Sequence, residues 1–148
     1  MEKTFIRVRS VKDIVISASL TISGSILVAL HTGTGVNISG LFMIFAGLIL
    51  FFILKSGYKD TETGISYKKK EYYFQQAMNA PISAALASKP ESIDLGEANK
   101  GNAIKLDIYY SNASGKAYLQ LFEYVPYKYE PCSKMYEYDT ARIEKILK

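Results

Sequence analysis

The chain reads as an α+β protein: a transmembrane helical hairpin, then a small domain with an antiparallel sheet and a C-terminal helix. Three observations predict this. Two apolar stretches, Ile14–Leu30 and Val36–Leu54, carry no Asp, Glu, Lys or Arg. Residues 104–122 alternate apolar and polar around a turn, the signature of a β-hairpin. The last residues place Ile143, Ile146 and Leu147 at helical spacing.

Residues 1–13 precede the first stretch and are too short to form a domain. They read as a tail. At about 1.5 Å per residue the stretches reach roughly 26 and 28 Å, close to the roughly 30 Å of a bilayer core. Flanking residues such as Val11 and Lys12 can extend the first. The second is the purer: residues 41–54 (LFMIFAGLILFFIL) have no polar side chain. The first carries Ser17, Ser19, Thr21, Ser23 and Ser25. Their hydroxyls can bond back to carbonyls of their own helix, so their cost in lipid is modest. A cleaved signal peptide would share the basic start (Lys3, Arg7, Arg9, Lys12). However, the apolar run is long for that role, and no small-x-small cleavage site follows it. The segment therefore reads as an uncleaved anchor. Gly33 and Gly35 permit a tight reversal, completing a two-helix hairpin over 14–54.

Orientation follows from the basic residues. Four lie before the first span, and Lys55, Lys59, Lys68, Lys69 and Lys70 follow the second. The connecting loop His31–Asn37 has none. The positive-inside rule puts both termini in the cytoplasm and the loop outside. Residues 55–64 (KSGYKDTETG) read as a juxtamembrane linker and 65–148 as one cytoplasmic α+β domain. In it, Ile65–Phe74 reads as a strand rich in aromatic and β-branched residues. Asn79-Ala-Pro81 reads as a helix start with Asn79 at the N-cap, and Pro90 ends that helix near Ser88. Ser92–Leu95 reads as a short strand and 96–102 as a loop. Ile104, Leu106, Ile108 and Tyr110 form one face of the hairpin's first strand; Ala117, Leu119 and Leu121 form that of its second. Asn112-Ala-Ser-Gly115 is the turn. Pro126 and Pro131 interrupt the stretch after the second strand, and Asp139 or Thr140 can cap a last helix over about 141–147.

Charge and cysteine usage bound the chemistry. Net charge is +4, and excess positive charge sits beside the spans, suited to anionic headgroups. Nucleic-acid binding wants a concentrated basic stripe and is not expected. One Cys, Cys132, excludes an intramolecular disulfide and a cysteine metal cage. The one histidine, His31, falls at the outer end of the first span and reads as an interfacial polar residue. No GxSxG, P-loop, HExxH or dinucleotide fingerprint occurs, and no carboxylate is paired in sequence with a base or nucleophile. No catalytic residue, cofactor site or metal site is expected, and an enzyme is the least supported class.

Two features can carry interactions. Ser17, Thr21, Ser25 and Ala29 form a small-residue stripe at four-residue spacing on the first span, and Gly40 and Gly47 lie on the second. Small residues let helix backbones approach closely in lipid. They serve either packing of the two spans on each other or contact with a second copy or another membrane protein. The other feature is a tyrosine-rich stretch in the last third of the chain. Tyr118, Tyr124, Tyr127, Tyr129, Tyr136 and Tyr138 are candidates for a partner-binding face, against the plainer reading of sheet packing with hydroxyls at the rim.

Thr32–Asn37 (TGTGVN), Lys55–Asp60 (KSGYKD) and Tyr129–Tyr138 (YEPCSKMYEY) carry a resemblance. In these segments the whole chain resembles a group of small two-span membrane proteins from gut Bacteroidota. It implies a bacterial inner membrane and transfers no site and no mechanism. The functional expectation is a membrane-anchored, non-enzymatic accessory or scaffold protein, with the bilayer and a membrane-protein partner or a second copy as its contacts. A self-contained sensor or ligand-binding module is the alternative, and an immunity or phage-type membrane protein a third.

Overall fold

The structure is a computed structural model and describes residues 3–148. It comprises strand β1 (Phe5–Val8), helices α1 (Val11–Ala29) and α2 (Thr34–Ile53), strands β2 (Gly57–Asp60) and β3 (Ser66–Phe74), helix α3 (Asn79–Ser88), strands β4 (Ile104–Ser111), β5 (Lys116–Val125), β6 (Lys128–Pro131) and β7 (Tyr136–Asp139), and a final turn of helix, α4 (Glu144–Leu147). It divides into two compact units: Arg7–Gly57, and residues 3–6 with Tyr58–Lys148.

The first unit is the helical hairpin. Both helices are long and apolar enough to cross a membrane. Only 17% and 11% of their most apolar windows are buried, the reverse of a core helix in a soluble protein. The first starts earlier than its charge-free stretch, because Ser10 caps it: Ser10 Oγ accepts from Asp13 N–H, and Asp13 Oδ2 accepts from Ser10 N–H. Lys12 and Asp13 thus sit in its first turn, so the span is not free of ionisable residues. The expected back-bonding of hydroxyls is present: Ser17 Oγ donates to Asp13 O at 2.8 Å, Thr21 Oγ1 to Ser17 O at 2.9 Å and Ser25 Oγ to Thr21 O at 2.8 Å. Between the helices His31 adopts a left-handed φ of 48° with Nδ1 2.8 Å from Ala29 O.

In the second unit the antiparallel strands run in the order β1-β2-β3-β4-β5-β6, with β7 also paired to β5. The β4–β5 register sets Leu106 opposite Leu121 and Ile108 opposite Leu119. This face carries the core: Phe74, Ile104, Leu106, Ile108, Leu119 and Leu121 pack with Ile82 and Leu86 of α3 and with Ile143 and Ile146 at the C-terminus. The Tyr72 hydroxyl donates to Ile146 O at 2.9 Å and Lys70 Nζ to Leu147 O, which ties the C-terminal turn to β3.

Several local expectations change. Where sequence reads a tail and a linker, β1 and β2 form. Four-residue strands are too short to display a period, and β1 finds its partner β2 only about fifty residues later. Ser92–Leu95 is not a strand. Tight 3-10 turns occupy Pro90–Ser92 and Leu95–Glu97, the second capped by Asp94 Oδ1 accepting from Gly96 N–H at 2.8 Å. Asn79 is the first residue of α3 rather than its cap. A 3-10 turn, Gln76–Met78, leads into the helix, and Asn79 Oδ1 accepts from Ser83 Oγ instead. Asp139 and Thr140 do not cap the last helix by side chain. Their carbonyls accept from Arg142 and Ile143 N–H, and helix begins only at Glu144.

Candidate functional site

The helical hairpin is built on three glycines. A Cβ on Gly24 would lie 2.5 Å from Gly40 O and 2.8 Å from Ile44 N; one on Gly40 would lie 2.7 Å from Gly24 O; one on Gly47 would lie 2.8 Å from Ser17 O. These neighbours are backbone atoms, so the helices touch main chain to main chain, the close approach that small residues permit in lipid. Of the expected packing residues, Ser17, Gly40 and Gly47 are buried and Thr21 is half-buried, all within this contact. Ser25 and Ala29 are exposed and do not contribute. The reason is geometric. At about 100° per residue, a 4-4-4 row drifts about 120° around a helix between its ends. The contact follows Ser17, Thr21, Gly24 and Val28, a 4-3-4 spacing that stays on one side. Gly24 escaped sequence reading, though its seven-residue step from Ser17 matches the step from Gly40 to Gly47.

Asp13 closes the base of this hairpin. Its side chain is 3% exposed. Oδ2 accepts from Ser10 N–H at 2.9 Å and Ser56 N–H at 2.8 Å, and Oδ1 from Ser56 Oγ at 2.7 Å. The Ser10 and Ser56 hydroxyls are 2.8 Å apart. Beside this knot the Arg9 guanidinium lies 3.8 Å over the Phe51 ring.

The tyrosines do not form one face. Strand parity separates them. Tyr136 and Tyr138 lie opposite Leu119 and Ala117 and point to the core, where the Tyr138 hydroxyl donates to Leu86 O at 2.5 Å. Tyr118 projects from the other side of the sheet but is only 6% exposed, because Phe5 of β1 packs on it, on Tyr67 and, stacked at 4.2 Å, on Tyr109. Burial pushes the Tyr118 hydroxyl up to about 12. Three of the six remain together near the β5–β6 turn. Tyr124 is 51% and Tyr127 98% exposed, and half-buried Tyr129 packs edge-on to Tyr124 at 5.3 Å while donating to Asn102 O at 2.6 Å. Tyr127, in the turn between β5 and β6, holds a left-handed φ of 71°. The edge strand β6 beside it ends in Pro131 and carries Lys128 and Glu130, features that block pairing with a foreign strand.

Between these aromatic groups lies a buried charged row. Asp107 Oδ2 meets Lys69 Nζ at 2.8 Å and Lys105 Nζ at 3.3 Å, and Lys69 also reaches Glu71 at 2.5 Å. Burial pulls the Lys69 ammonium down, but its bonds to Asp107 and Glu71 outweigh that and hold it above the usual lysine range. Lys105 lies 4.7 Å over Phe122 and 5.2 Å over Tyr129. Cys132 is exposed. Desolvation and the nearby Glu123 hold its thiol above its ordinary value, the opposite of an activated nucleophile. Among the described residues no three His, Cys, Asp or Glu side chains converge to hold a metal.

No protein-family model, curated protein or solved structure matches this chain.

Proposed function

We propose that this chain is a membrane-anchored, non-enzymatic accessory or scaffold protein of a bacterial inner membrane, with both termini in the cytoplasm. The hairpin is the anchor. Ser17, Thr21, Gly24, Gly40 and Gly47 serve its own packing, and Phe42, Phe45, Leu48, Ile49 and Phe52 are left outward for lipid or a membrane partner. The soluble domain is the working part. The single observation that carries the reading is the aromatic tip formed by Tyr124, Tyr127 and Tyr129, where exposed tyrosine offers a large contact area at low entropic cost. The test is recovery of the tagged chain from native membranes in gentle detergent. A stoichiometric membrane protein that is retained by the natural chain and lost from the double variant Tyr124→Ser/Tyr127→Ser supports the reading. Recovery of the chain alone counts against it. For topology, Cys132 is expected to resist an impermeant maleimide in intact cells, and labelling there would sink the cytoplasmic placement.

A second reading, a ligand-binding module, is favoured by a cleft of about 440 Å³ lined by Lys68, Tyr110, Asn112, Thr140, Glu144 and Lys148. Its mixed polar lining suits a small charged ligand. Stabilisation of the full chain by such a ligand, cancelled by Lys68→Ala, would promote this reading over the first.

A further inference from the structure

We propose that the base of the hairpin is a binding site for an anionic phospholipid headgroup, formed by Arg9, Lys12 and Lys55. The inference rests on the membrane-anchored reading and adds a ligand class to it. Three observations carry it.

The first is placement. The Ser10–Asp13–Ser56 knot ties the start of α1 to the residues just after α2. Arg9 adjoins Ser10, Lys12 adjoins Asp13 and Lys55 adjoins Ser56, so the knot gathers three cations at one end of the hairpin. The second is charge balance. Asp13, the carboxylate at this end, is buried and already accepts from Ser10 and Ser56. Among the described residues none of the three cations has an ion-pair or hydrogen-bond partner, and Lys12 and Lys55 are exposed. The third is preorganisation. The Arg9 guanidinium lies 3.8 Å over the Phe51 ring in the last turn of α2, and its Nε is buried without an acceptor. The outer edge of the planar group remains to face an acceptor. A phosphodiester oxygen pair suits that edge, which binds in a bidentate fashion. An apolar ring beneath and a charged rim above match the boundary between acyl chains and headgroups. Net positive charge favours a headgroup of net negative charge over a zwitterionic one.

The test uses the full chain reconstituted in phosphatidylcholine vesicles containing a trace of spin-labelled phosphatidylglycerol or spin-labelled phosphatidylcholine. Electron paramagnetic resonance then gives the relative association of each lipid with the protein. A cation close to an anionic headgroup is worth about a fivefold gain. The natural chain is therefore expected to prefer phosphatidylglycerol by about a hundredfold at low salt, and by less at high salt. The triple variant Arg9→Gln/Lys12→Gln/Lys55→Gln is expected to bring the ratio to about one. If that variant does not reconstitute, Lys12→Gln and Lys55→Gln carry the test singly, each lowering the preference by about fivefold. Equal association of the two lipids with the natural chain overturns the proposal, as does a preference that the variants keep. Loss of the preference to inorganic phosphate at constant ionic strength also overturns it, by assigning the site to a soluble anion. Absence of any protein-bound lipid signal would remove the anchor reading itself, an outcome separable from unselective lipid contact.

Discussion

Gly24→Ala is the sharpest perturbation of the hairpin. The added methyl would sit 2.5 Å from Gly40 O, 2.8 Å from Ile44 N and 2.9 Å from Met43 Cβ. Ordinary contact needs about 3.5 Å or more, so the helices must separate locally by about 1 Å. Two of the three neighbours are main-chain atoms, and rotamer changes cannot relieve them. A gap of that size forfeits about a quarter to a half of the attraction at each affected contact. Overpacking of this kind costs about 1–3 kcal/mol, reduced by the 0.8 kcal/mol or so that alanine gains over glycine as a helix former. Gly35→Ala is the internal control. It lies in the first turn of α2 with nothing within 4 Å of a built Cβ, so only the propensity gain applies. Unfolding of the full chain by sodium dodecyl sulfate in mixed micelles reads both. The expected order of stability is Gly35→Ala, natural chain, Gly24→Ala. A Gly24→Ala chain as stable as the Gly35→Ala control would refute main-chain contact between the helices.

Three further outcomes are expected from other contacts. Asp13→Ala leaves the Ser10 cap bond but removes the acceptor for Ser10 N–H, Ser56 N–H and the Ser56 hydroxyl, and is expected to cost about 2–4 kcal/mol in the same titration; a loss under 0.5 kcal/mol or so would show the knot to be dispensable. Asp107→Ala leaves half-buried Lys105 without its carboxylate, and is expected to cost about 1–3 kcal/mol in urea, followed by near-ultraviolet tyrosine dichroism; adding Lys105→Met should recover part of that loss. The third concerns acid. Burial raises the Asp60 carboxyl, but bonds from Glu62 N–H, the Thr63 hydroxyl and the Lys3 ammonium outweigh this and bring it down to about 2, below its ordinary 3.8. Its contribution is therefore fully present above about pH 4 and lost as pH falls toward 2. Protection of the Thr61 amide, which bonds to Thr4 O at 3.1 Å, should drop across that window, and Asp60→Asn should abolish the step.

Sequence legibility tracked the range over which each signal acts. The β4–β5 hairpin is encoded by strict alternation, and Ile104, Leu106, Ile108, Leu119 and Leu121 are all fully buried as that alternation requires. The two long helices are equally plain, because length and the absence of charge need no partner to be read. Strands β1, β2, β6 and β7 have four residues each, too few to display a period, and β1 owes its existence to a neighbour about fifty residues along the chain. Tyr118 illustrates the same limit. Its place on the outer side of β5 was readable from alternation, but its burial depends on Phe5, more than a hundred residues earlier. The packing stripe on α1 was half legible: the residue sizes were right, but the step that keeps a row on one side of a helix selects Gly24 over Ser25.

The bond from Asp13 to Ser56 also bears on how the chain is made. Synthesis delivers the carboxylate 43 residues before its second partner. A nascent chain that has emerged only through α1 holds Asp13 against Ser10 alone, and Gly24 faces no opposing backbone. The first deficit is cancelled by Ser56, just after α2, and the second by α2 itself. The two helices are thus one packing unit, and the first is completed only when the second and the residues just after it have arrived.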